Sequence, residues 1–348
     1  MKEYQFKTSG QTRTERDLLG EKEVPTEALF GIQTLRCIEN FDISRQLLSH
    51  YPPFVKALGL VKMGAVKANN ELKLINDEIT NAIVEACQEL MDGKHTEHFP
   101  IDLVQGGAGT SVNMNANEVI ANRALEILGK KRGEYKYCHP NDHVNMAQST
   151  NDAYPTAMHL GLYMLHDELK ASLEKLIESF EKKSIEFKEM VKMGRTQLQD
   201  AVPMTLGQSF GAYMDAMKNE LKRIDAASKE FLTINMGATA IGTGITAEPG
   251  YAELCTQYIK DISGWDIVLA ENLVEATNDT SAMVGYSSAM KMIALRLSKI
   301  CNDLRLMASG PRAGLAEIKL PAKQPGSSIM PGKVNPVIPE VVNQVCFK

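Results

Sequence analysis

The chain has 348 residues, 44% hydrophobic and 23% charged, with a formal net charge of −5. This is the composition of an ordinary globular protein with a sizeable core, and the absence of any long Lys/Arg run excludes a nucleic-acid surface. No apolar stretch reaches the about 18 residues of a membrane helix, and the N-terminus MKEYQFKTSGQTRTERD is too polar for a secretory signal.

The six cysteines (Cys37, Cys87, Cys138, Cys255, Cys301, Cys346) are widely spaced with no CxxC pair. That pattern predicts reduced packing residues in a cytoplasmic protein rather than a disulfide framework or zinc site.

In chain order, periodic apolar positions predict short helices over about 53–73 and 77–92, then a polar, Gly-rich break, QGGAGTS, at 105–111. Its three glycines free the backbone just ahead of a helical pattern over about 113–128. Free N–H groups at a helix N-terminus favour an anion there, although a plain N-cap explains Thr110 and Ser111 equally well. The stretch lacks the GK[ST] ending of a phosphate loop and the spacing of a dinucleotide fingerprint.

His95 and His98 lie in a polar stretch that reads as solvated. His139 and His143 in HPNDH are four apart, yet no third ligand is evident, so no metal is predicted. QSTNDAYPT, 148–156, opens a long helix with Ser149, Thr150 and Asn151, three polar residues in succession where capping needs one.

Leu162, Leu165, Leu169, Leu173, Leu176, Phe180 and Phe187 mark one buried stripe on a helix over about 153–191. GRTQLQDAVP, 194–203, then connects to a second helix over about 205–235. Arg195, Thr196, Gln197 and Gln199 there are suited to carboxylates, or to an ordinary interhelical connection. A third long helix, over about 280–308, carries Met290, Ile293, Leu297, Ile300 and Leu304. Spans of 30 residues would be about 45 Å long and need partners along their whole length, which points to a bundle extended by other subunits. The expected organisation is all-α: a smaller helical domain over 1–145 and a long-helix bundle domain over 146–348.

Near the C-terminus, GSSIMPGKVNP (326–336) places two serines, a lysine and an asparagine in a stretch too rich in Gly and Pro for a helix. Together with QGGAGTSVNMNANEV, QSTNDAYPT and GRTQLQDAVP, this segment resembles the aspartase/fumarase superfamily, from about Thr12 to Lys348. The resemblance implies an all-α homotetramer whose long helices form one large bundle, with active sites built from three subunits and no organic cofactor. Because family chains continue beyond NQVCFK, it also implies that a C-terminal part of the fold is missing here.

The implied chemistry is reversible elimination of ammonia from L-aspartate to give fumarate. A proton leaves the carbon beside a carboxylate, which then carries the charge as an aci-carboxylate stabilised by preorganised donors. By resemblance Ser327 is the base, with its oxyanion stabilised by loop amides and Lys333. Thr110, Ser149, Thr150 and Ser328 would face the charged carboxylate. Lys333, Asn335 and Thr196 would hold the second carboxylate, and Asn151 and Gln197 the amino group. Gln197, where fumarate hydratases of this type typically have His, favours ammonia loss over hydration of fumarate to L-malate. A non-catalytic fragment on the same scaffold is a further alternative.

Overall fold

The computed structural model describes residues 6–348, so the first five residues of the polar N-terminal stretch lie outside it. The chain divides into two compact units: residues up to Leu165 together with Lys229–Thr280, and His166–Ser228 together with Ser281–Lys348. A single cut at 145 does not describe this division, because the chain returns to the first unit after residue 228.

The first unit begins with a hairpin of β1 (Thr12–Asp17) and β2 (Gly20–Pro25), followed by α1 (Ile32–Asn40), α2 (Pro52–Glu71), α3 (Asp77–Met91) and α4 (Thr110–Ile127). The helices predicted near 53, 77 and 113 are therefore present. α5 (Thr150–Glu186) starts here with Ala153, Ala157 and Leu160 buried. The returning segment supplies β5 (Thr233–Ile234), the single turn α7 (Thr239–Gly242), α8 (Tyr251–Ser263), β6 (Val268–Leu269) and α9 (Leu273–Asn278). β5 and β6 pair in parallel.

α8 packs so closely on α2 that a Cβ built on Gly64 would lie 2.4 Å from Ile259. Tyr251, Cys255 and Ile259 share one core with Leu58, Val61 and Ala65. This sequestration of apolar area draws residues 229–280 into the first unit.

Two buried carboxylates hold the start of α1. Glu118 accepts from Gly31, Gln33 and Thr34 N–H, and Glu15 accepts from Ile32 N–H, so the first turn's orphan donors are satisfied. Burial pushes the Glu118 carboxyl up to about 7, against the pull of those donors.

In the second unit the rest of α5 packs with α6 (Leu206–Lys229) and α10 (Ser281–Met307) around Ile177, Phe180, Phe210, Tyr213, Met217 and Ile300. α11 (Val337–Phe347) packs along α10. Only α5, with 37 residues, exceeds 30; α6 has 24 and α10 has 27. α6 is shorter than its apolar pattern because Phe231 sits past its end, buried in the first unit's portion of the chain. Leu165 and Met290, expected in the buried stripes, are exposed, as are Val284, Leu295, Val341, Val345 and Phe347.

The interhelical connection GRTQLQDAVP is part of a β-hairpin, β3 (Val191–Thr196) and β4 (Gln199–Thr205). Its two-residue loop, Gln197–Leu198, has positive φ at both positions, the turn that matches a strand pair's twist. No helix among the described residues is long and apolar enough to cross a membrane.

Candidate active site

Two helix N-termini meet in the first unit. α4 begins after Gly109, whose φ is +88° and whose added Cβ would lie 2.3 Å from the Tyr154 ring on α5. Only glycine permits that approach. No side chain among the described residues caps α4, which leaves N–H groups of its first turn available to an anion. Asn113 on α4 reaches Thr150, the first residue of α5, through a long 3.4 Å contact from Nδ2 to Oγ1.

The start of α5 is held by reciprocal caps. Ser149 Oγ accepts from Asn151 N–H, and Asp152 Oδ1 accepts from Ser149 N–H at 2.9 Å. Ser149 is thus a cap, yet its own hydroxyl proton has no acceptor among the described residues. Thr110 donates instead to Gly107 O at 2.7 Å, so its proton must turn to serve a bound anion.

Pro155 has no N–H to offer the Asn151 carbonyl four residues earlier. Asn235 Nδ2 takes that place at 3.0 Å, and Asn151 Nδ2 donates to Ala240 O at 2.7 Å. With its NH2 engaged, Asn151 has Oδ1 left, an acceptor suited to an ammonium group.

In the second unit GSSIMPGKVNP forms a closed loop. Gly326 N–H donates to Lys333 O at 2.8 Å and Asn335 Nδ2 to Gly326 O at 2.9 Å, so Asn335 braces the loop. A Cβ on Gly326 would come within 2.8 Å of Asn335 N, and Gly332 has a φ of +83°. Ser327 Oγ accepts from both Ile329 and Met330 N–H at 3.2 Å. Two amide donors favour the alkoxide form of a serine. Ser328 and Lys333 are exposed, and Lys333 has no ion pair among the described residues.

Thr196 and Gln197 stand exposed at the tip of the β3–β4 hairpin. Arg195, expected to be suited to carboxylates, is already bound to Glu317 at 2.5 Å. That hydrogen bond holds Glu317's carboxyl below its ordinary range. Thr110, Ser149, Thr150 and Asn151 therefore belong to one unit; Thr196, Gln197, Ser327, Ser328, Lys333 and Asn335 belong to the other.

The histidine expectations need one correction. His98 is buried, not solvated: its Nδ1 accepts from Leu29 N–H, and burial pulls it down to about 3. His95, Glu97 and His98 form the one group among the described residues spaced to hold a metal. With Nδ1 accepting, however, His98 carries its proton on Nε2, the atom facing Glu97, and that nitrogen has no lone pair for a cation. His139 caps the short Pro140–Val144 helical turn by accepting from Asn141 and Asp142 N–H.

Sequence reasoning missed what lies under the α5 terminus. Lys62 on α2 is completely buried, and its Nζ donates to Asn113 Oδ1 (2.7 Å), Gln148 Oε1 (2.8 Å) and Asn145 Oδ1 (3.0 Å). Asp152 is also fully buried, and burial pushes its carboxyl up to about 6. The polar letters of SVNMNANEV inside an otherwise buried helix were the available signal, since Asn113, Asn115 and Asn117 are all buried.

Comparison with known proteins bears on this arrangement. A family model described as a lyase matches residues 20–348. Aspartate ammonia-lyase of Pseudomonas canavaninivorans is 58% identical over 337 residues, 97% of this chain and 71% of that protein. The same enzyme of Escherichia coli K12 is 53% identical, covering 98% of this chain and 71% of its own. A Brucella melitensis structure described as fumarate lyase:delta crystallin bound to cobalt superposes with a TM-score of 0.95 at 54% identity, over 97% of this chain and 73% of that one. The class II fumarase of Schistosoma mansoni gives 0.91 at 35% identity, over 97% and 74%. A lyase-family match over nearly its entire length, with relatives more than half identical, shows that the chain belongs to this lyase family.

Proposed function

We propose that this protein reversibly eliminates ammonia from L-aspartate to give fumarate. The observation that carries the proposal is the 53–58% identity to aspartate ammonia-lyases across at least 96% of the chain. The paired amide donors on Ser327 Oγ support its part in the chemistry.

In this reading the Ser327 alkoxide takes a proton from the carbon beside one carboxylate. The C–H electron pair passes into that carboxylate, which becomes a dianionic aci-carboxylate. Thr110, Ser149, Thr150 and Ser328 donate to its oxygens as charge develops, and being neutral they strengthen without neutralising the substrate beforehand. The electrons then return to form the C=C bond as the C–N pair leaves with ammonia. Asn151 Oδ1 and Gln197 receive the amino group, while Lys333, Asn335 and Thr196 hold the other carboxylate. The closed 326–336 loop excludes water when it covers substrate.

The proposed assembly is a cytoplasmic homotetramer with sites shared between subunits. Six cysteines, five of them buried, fit a reducing compartment. The exposed Val284, Leu295, Val341 and Phe347 of the second unit fit helix faces covered by further copies. Absorbance of fumarate formed from L-aspartate and, separately, from L-malate tests the reaction. Turnover of aspartate alone supports ammonia elimination; turnover of malate alone, or of neither, rejects it.

A further inference from the structure

Lys62 is a buried ammonium without a carboxylate in contact among the described residues, held among three neutral amide oxygens. Burying a charge is costly, and an unpaired buried lysine of this kind is rarely kept for stability alone. Three acceptors around Nζ require three N–H bonds, which only the charged –NH3+ provides. Each bond also fixes which end of an amide points inward. With its oxygen turned to Lys62, Asn113 presents Nδ2 to Asn145 Oδ1 (3.0 Å) and to Thr150 Oγ1 (3.4 Å). Gln148 in the same way presents Nε2 to Val144 O at 2.9 Å, which closes the turn leading into Ser149. A threonine oxygen that accepts from an amide keeps its own proton for an outside acceptor.

We propose that Lys62 is a positioning residue for anion binding at the start of α5: its charge sets the Asn113–Asn145–Gln148 amides so that Thr150 donates outward, and it adds positive potential to the helix end. This rests on the placement of the carboxylate site at Thr110 and Ser149–Thr150 given above. No contact of Lys62 with substrate is implied.

The surroundings let the charge be read by pH. Burial pulls Lys62 down to about 7, opposed chiefly by Asp152 on α5 and less by Cys87 on α3 and Cys255 on α8. Burial pushes both thiols, and Tyr251 beside them, far up, and Asp152 stands at about 6. Among these groups Lys62 is the one that loses its positive charge as the pH rises through about 7.

The experiment compares the unmodified protein with Lys62→Met, Thr150→Ala and the double variant. It reads kcat and KM for L-aspartate, and inhibition by succinate, a dicarboxylate with no amino group to lose. Lys62→Met is expected to lose about tenfold or more in kcat/KM and in succinate affinity while remaining folded by circular dichroism. Added to Thr150→Ala, it should cost less than about a further threefold, because both act through one hydroxyl. Succinate inhibition unchanged in Lys62→Met, or losses that multiply in the double variant, would overturn the role of Lys62 and leave the site in place. Thr150→Ala with unaltered constants would instead overturn the site placement, and the Lys62 role with it. If Lys62→Met does not fold, the unmodified protein answers: succinate inhibition should weaken about tenfold between about pH 6.5 and about pH 9, and a flat profile overturns the proposal.

Discussion

A serine hydroxyl is ordinarily a very weak base, and the proposal that Ser327 acts as one rests on its immediate backbone. Ile329 and Met330 direct their N–H groups at Oγ, an arrangement that stabilises the alkoxide more than the neutral hydroxyl. Ser327→Ala removes the acceptor but not the loop's closure, which is made by Gly326, Lys333 and Asn335. The expected outcome is loss of ammonia elimination with unchanged folding and assembly; fumarate absorbance beside size-exclusion chromatography checks it, and turnover within about tenfold of the parent rejects Ser327 as the base. His98 sets a different single-residue expectation. Burial holds it neutral in the folded chain, down to about 3, whereas the unfolded chain binds its proton near the ordinary 6.5. The folded state is therefore the one that resists protonation. Its contribution to stability is complete above about pH 6.5 and is lost as the pH falls toward about 3, at up to about 1.4 kcal/mol per pH unit. His98→Gln keeps an acceptor for Leu29 N–H but cannot titrate, so urea unfolding across this range should show a shallower acid slope; an identical slope contradicts the assignment.

At the scale of elements, the proposed carboxylate site depends on how two helices begin. α5 opens with a cap, a buried carboxylate and a proline whose missing hydrogen bond is replaced by Asn235. That exchange ties the 235–240 segment to the first turn of α5 and fixes Asn151. α4 depends on Gly109 in the left-handed region, packed against Tyr154. Gly109→Ala meets both an unfavourable φ and a contact that no Cβ tolerates. It should destabilise the first unit by about 1–3 kcal/mol and weaken dicarboxylate binding by shifting Thr110. Urea denaturation and succinate inhibition measure the two effects, and a parent-like midpoint with parent-like inhibition denies the close packing.

For the whole molecule, the proposed donors and the proposed base lie on different compact units, and the second unit carries exposed Val284, Leu295, Val341, Val345 and Phe347. Uncovered apolar positions of this extent mark surfaces for association. If neighbouring copies complete each other's sites, a Ser149→Ala subunit and a Ser327→Ala subunit, each inactive alone, should regain activity when dissociated and reassembled together. Some hybrid sites then contain neither substitution. Verified hybrid oligomers without activity would reject shared sites for this pair.

Periodicity alone located α2, α3, α4, α5 and α10, because a 3.6-residue repeat of apolar side chains is a local property of the chain. The polar breaks at 105–111 and 326–336 were equally legible, since Gly and Pro punctuate the pattern wherever the backbone must turn, whereas α5 begins at Thr150 and runs through Pro155. The tertiary structure decided matters that depend on residues distant in sequence. α8 joins the first unit because Ile259 fits against Gly64, almost two hundred positions away, and no periodicity records that match. His98 looks solvated among Lys, Thr and Glu, yet Phe6 and the Leu29 N–H enclose it. Arg195 reads as a carboxylate binder until Glu317 is seen to occupy it. Lys62 gives no sign of itself in VKMGAVK; only the folding of α2, α4 and the 145–148 turn around one ammonium makes it a buried charge. Local pattern determines where elements and loops lie, whereas burial and partnership, which set the charge and reactivity of each side chain, arise only when distant segments remove it from water.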